Sequence, residues 1–136
     1  MTTAEFLERF GAVVGEGRMK LPTTVIEAWG QFVESCEAGY RDILDEFTFD
    51  RWVRHQIEKV PQDQGLREFD QMRWVEEQVR EIDERYRTLL SDQILFPDWP
   101  WWEASFPRYA GPQMAADLLR MYGLTVEIRE PPPAWP

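Results

Sequence analysis

Between residues 96 and 112 the chain reads FPDWPWWEASFPRYAGP, with three Trp, two Phe, one Tyr and four Pro in seventeen residues. Proline cannot donate to a helix or sheet ladder, and it biases the residue before it towards extended geometry. This stretch is therefore expected to be irregular while carrying a very large apolar load. Its rings either close over a core as a lid or face a partner, since Trp and Tyr serve in both roles. Trp99, Trp101, Trp102 and Phe106 are the candidate interface residues, with Tyr109 beside them. Pro100 separates Trp99 from Trp101, and adjacent Trp101 and Trp102 tend to point apart. A split is expected, with one Trp packed and another exposed.

The rest of the chain reads as helical. Thr2-Thr3-Ala4-Glu5 has the spacing of a capping box, followed by Phe6, Leu7 and Phe10 on one face. Leu21-Pro22-Thr23-Thr24 marks a second start. From there Val25, Trp29, Phe32, Cys36, Tyr40, Ile43 and Phe47 recur at steps of four and three. That seam predicts a helix which Gly39 kinks and residues 48–50 break, before Trp52, Val53, Ile57 and Val60 continue it to Pro61. Residues 62–65 read as a loop. A long helix is predicted over 66–90, with Glu76–Arg80, Glu81–Arg85 and Asp83–Arg87 pairs on its outer face. Pro112 opens a further helix that Gly123 caps. Residues 124–129 alternate as a half-buried strand, whose companion is either residues 18–21 or a strand of another chain. The expected fold is mainly α, a helical bundle of three to five helices with a C-terminal helix and one short strand. It forms a single domain over residues 1–130, with a proline-rich tail at 131–136.

One internal echo stands out: RWVRHQIEKV at 51–60 aligns without gaps on RWVEEQVREI at 73–82. It records either a duplicated helix or the pattern that any two amphipathic helices share.

Chemistry is sparse. With one His and one Cys, no nucleophile elbow and no Gly-rich loop before a helix, no catalytic residue is assigned. Cys36 falls on the apolar seam, whereas a reactive thiol needs an electropositive, partly exposed setting. His55, among Arg51, Arg54, Glu58 and Lys59, reads as part of a solvated face. A lone His and a lone Cys cannot build a zinc site. Glu34/Glu37, Asp42/Asp45 and Glu81/Glu84 have the helical spacing for Mg²⁺, but such pairs are no commoner than 25 acids in 136 residues give by chance. No metal or cofactor is assigned.

The net charge of −10 disfavours nucleic acid and anionic membrane surfaces, both of which need a basic footprint. The N-terminus has no signal-peptide pattern, and the expected setting is cytoplasmic. Residues 34–50 hold six acids against Arg41 alone. If the helix is unbroken, Asp42, Glu46 and Asp50 stack at i, i+4 and i+8, either as a solvated face or as a landing strip for a basic partner. Three readings follow. The first is a non-enzymatic acidic binding protein, immunity-protein-like, antitoxin-like or adaptor-like, that engages a basic protein. The second is a small all-α Mg²⁺-dependent nucleotide hydrolase, and the third a structural homodimer.

Overall fold

Local capping chemistry sets several helix starts in the computed structural model, which describes residues 2–15 and 20–130. Thr2 stands at the N-cap of α1 (Thr3–Val14), and its hydroxyl accepts the Glu5 N–H at 3.1 Å. Pro22 is the first residue of α2 (Pro22–Glu37), where its missing N–H costs nothing. α3 spans Leu44–Glu58, α4 is the single turn Gln64–Arg67, and α5 spans Gln71–Leu89. A second single turn, α6 (Trp101–Ala104), interrupts the aromatic segment. α7 (Pro112–Tyr122) begins at its proline and ends at Gly123, whose φ of 64° is the left-handed cap the sequence predicts. Among the described residues the protein is mainly α, with seven helices and one two-stranded sheet. No helix among them is long and apolar enough to cross a membrane.

The chain divides into two units. The first comprises Met1–Gln31 and Arg51–Asp83, the second Phe32–Asp50 and Glu84–Pro136. In the first, Phe6, Phe10 and Val14 of α1 are buried, as are Val25 and Trp29 of α2 and Leu66 of α4. Phe6 meets Phe69 at 5.5 Å between ring centroids. Arg9 and Asp63 form a two-bond ion pair, and Asp63 also caps α4 by accepting the Leu66 N–H. The second unit has an aromatic core: Phe32 lies 5.2 Å from Phe47 and 5.8 Å from Tyr86, and Phe47 lies 6.0 Å from Phe106.

The break in the long seam falls elsewhere than the sequence predicts. α2 stops at Glu37, residues 38–43 are not helical, and α3 runs through 48–50 without interruption. Gly39 is the reason for the stop. Its φ is +95°, and an added Cβ there would collide with the Arg129 carbonyl. Arg129 further donates to the Glu37 carbonyl at 3.0 Å, fixing this close approach.

Three further expectations are corrected. The helix predicted over 66–90 is two helices, separated by a turn in which the Phe69 N–H meets the Leu66 carbonyl and the Met72 N–H meets the Phe69 carbonyl. The strand predicted over 124–129 contracts to β2 (Glu127–Ile128). It pairs in parallel with β1 (Tyr109–Ala110), register Tyr109 to Glu127 and Ala110 to Ile128. The expected companion at 18–21 lies partly outside the described residues, as does all of the tail at 131–136. Two of the predicted helical ion pairs give way to tertiary partners: Arg85 pairs with Glu37, and Asp83 with Arg54. A two-bond carboxylate–guanidinium fork outweighs an exposed i,i+4 pair, worth a few tenths of a kcal/mol.

Candidate functional site

All the predicted site residues fall in the second unit. The acids do not form the continuous helical column expected of them, because Asp42 precedes α3. Its carboxylate instead accepts the N–H of Ile43 at 2.7 Å. Asp50 accepts the hydroxyl of buried Tyr40. Burial first, and then this bond to Asp50, push the Tyr40 phenol well above its ordinary value. Asp45 and Glu46 occupy the first turn of α3, both exposed. Negative charge is favourable at a helix N-terminus, so the mutual repulsion expected of a mid-helix stripe is offset here by the dipole.

A carboxylate from α7 positions that N-terminus. Asp117 accepts the Leu44 N–H at 3.0 Å through one oxygen and the Arg120 guanidinium at 3.1 Å through the other. The Leu44 N–H, and next Arg120, hold its carboxyl below the ordinary value of 3.8. The hydrogen bond from Arg9 does the same for Asp63 in the first unit. A carboxylate lowered in the folded state contributes stability above its unfolded value and loses it as pH falls. The urea midpoint should therefore decline as pH drops below the ordinary 3.8. Asp117→Asn should flatten part of that decline; an unchanged acid limb would show that the contact contributes nothing.

Sequence reasoning missed Phe49, which is 75% exposed one helical turn beyond Asp45 and Glu46. Ile43, immediately before the same helix, is also exposed. The signal was present: Phe49 lies off the apolar seam, next to Asp50 and one helical turn from Asp45 and Glu46, where a core residue has no place.

The aromatic segment does divide its rings. Trp102 is 4% exposed and Phe106 equally buried, which removes both from any accessible surface. Trp101 is half-buried beneath the Arg87 guanidinium, 3.7 Å from its ring centroid. Trp99 is 50% exposed and stacks on Phe96 at 4.2 Å with the planes 14° apart. Tyr122, from the last turn of α7 and not anticipated, meets Phe96 edge-on at 5.6 Å.

The remaining chemical candidates are placed as follows. Cys36 is fully buried. His55 is half-buried with its ring 4.5 Å from that of Trp52, and neighbouring Arg51 and Arg54 are buried, so this is not the solvated face expected. Arg54 is drawn inward by Asp83 and Glu58. An open groove of about 320 Å³ in the first unit balances Arg67 and Arg73 against Asp70 and Glu76 around Phe69 and Met72. No group of three or more His, Cys, Asp or Glu side chains among the described residues converges to hold a metal ion. Glu37, half of one Mg²⁺-spaced pair, is engaged by Arg85.

No family model, curated protein or solved structure matches the chain.

Proposed function

We propose that this is a binding protein for a basic protein partner, engaged through the start of α3. The observation that carries the reading is Phe49: a large apolar side chain, three-quarters exposed, set on a helix whose preceding turn holds Asp45 and Glu46. A solvated face gains nothing from such a ring. An interface gains an apolar anchor within a charged rim, and rim charges of one sign steer an oppositely charged partner. The second unit carries thirteen acids against six bases, so its field favours a cationic surface. Asp42 and Asp50 extend the rim, and Trp99 offers a second exposed anchor.

The test uses a cationic amphipathic peptide of Lys and Leu as probe, with its Glu counterpart as control. Titration into the ¹⁵N-labelled chain should shift the amides of residues 42–50, with an affinity that falls as salt rises. Phe49→Ala should weaken binding about tenfold or more, as removal of an anchor does. Asp42→Asn combined with Glu46→Gln should weaken it and reduce the salt slope. Equal binding of the Glu peptide, or unchanged affinity in both variants, would sink the reading.

A further inference from the structure

Phe96, Trp99, Tyr122 and buried Phe106 form one aromatic cluster. Phe106 lies beneath, 6.2 Å from Phe96 and 5.5 Å from Tyr122. Above it Phe96 and Trp99 stack, and Tyr122 stands edge-on to Phe96. The stack is built by a single turn in which the Trp99 N–H meets the Phe96 carbonyl at 3.1 Å. Pro97 lies inside that turn and Pro100 directly follows it, so the turn's backbone is restricted before any ligand arrives. The shelf is thus already formed. Its upper side is open, with Trp99 half exposed and Tyr122 41% exposed. Exposed Asp98 lies within the turn, and exposed Asp92 shortly before it.

We propose that this shelf takes a proline-rich segment of the partner, docked as an extended polyproline helix with Arg or Lys beside it. The inference rests on the reading of a basic partner and names the chemistry of one segment of it. A polyproline helix makes no internal hydrogen bonds and is largely pre-ordered, so its prolines pack on aromatic faces at little entropic cost. An amphipathic helix would need a continuous apolar groove, whereas here three rings form a short ridge with exposed Asp98 next to Trp99 in the chain. A sugar ring also stacks on indole and its hydroxyls donate to carboxylates, so a neutral oligosaccharide is the competing occupant that the test includes. A cationic occupant in addition neutralises the charge of Asp98, in a unit whose acids outnumber its bases.

The experiment titrates the full ¹⁵N-labelled chain with a short peptide holding a run of prolines flanked by arginines. The indole N–H of Trp99 and the amide of Tyr122 should shift. Replacing the prolines by alanines should weaken binding about tenfold or more, as should Trp99→Ala in the protein. Trp99→Phe, which keeps a ring, should recover most of that loss. Replacing the arginines by glutamates should abolish binding. Equal affinity for the alanine peptide, equal affinity of the Trp99→Ala protein, or comparable Trp99 shifts with a neutral oligosaccharide would each overturn the proposal. If the Lys/Leu peptide still binds at Phe49 while the proline peptide fails, this inference falls alone. If both fail, the basic-partner reading falls with it.

Discussion

Asp83→Ala should destabilise the protein by about 3–5 kcal/mol, the scale for breaking a buried ion pair by removing one partner. One oxygen of Asp83 accepts the Trp29 indole N–H at 3.0 Å and the Arg54 Nε–H at 2.9 Å. The other accepts the Arg54 Nη2–H at 2.9 Å. Arg54 is only 5% exposed and sends its remaining arm to Glu58 at 2.9 Å. Removing the carboxylate leaves the guanidinium buried with its two-bond partner gone. The pair's net worth is a separate question, because burying both charges carried its own desolvation cost. Arg54→Met with Asp83→Leu should therefore recover most of the loss, since apolar replacement of a whole buried pair is often neutral. Urea unfolding of Asp83→Ala and of the double variant reads this directly. A cost below about 1 kcal/mol for Asp83→Ala, the level of an exposed pair, would show that solvent screens the site.

That network also marks where the sequence ceases to be legible. Residues 47, 51, 54 and 58 share one stripe of α3, and the stripe is buried from Phe47 through Arg51 to Arg54. A hydrophobic pattern scores the arginines as surface, and nothing local names Asp83 as the partner that lets Arg54 sink. Features fixed by local chemistry were readable: the Thr2 cap, the Pro22 start, and the helix bounded by Pro112 and Gly123. Features fixed by distant contacts were not. The apolar spacing runs on through residues 38–43, yet the helix ends there because Gly39 packs on the Arg129 backbone and Asp117 caps Leu44. The acidic column dissolved for that same reason. The short strand found its companion inside the aromatic segment, at two residues with no strand pattern of their own. The echo between 51–60 and 73–82 extends to burial at two positions: Trp52 and Trp74 are both exposed, while Val53 and Val75 are both buried. Arg54 and Glu76, at matching positions, have different surroundings, the one buried and the other exposed. Of the candidate site, charge and ring content were legible. Which rings face outward was not, because that depends on where α7 brings Tyr122.

Alanine replacement along the tryptophan run should separate core from surface in a single series. Trp102→Ala is expected to cost about 3–5 kcal/mol, because it removes a large ring that is 4% exposed and leaves a cavity. Trp101→Ala should cost about 1 kcal/mol: its ring is half-buried, lying under Arg87 and 6.2 Å from Tyr86. Trp99→Ala should stay within about 0.5 kcal/mol of the parent, since half of the ring is in water and its stack on Phe96 is a surface contact. Binding should rank the other way. At matched folded fraction, Trp99→Ala should lose the proline-rich probe while Trp102→Ala keeps it. The two readouts are denaturant midpoint and probe affinity, taken on the same samples. A Trp99→Ala cost equal to that of Trp102→Ala, with probe affinity unmoved, would make the whole segment a core lid and leave Phe49 as the one exposed anchor of the proposed interface.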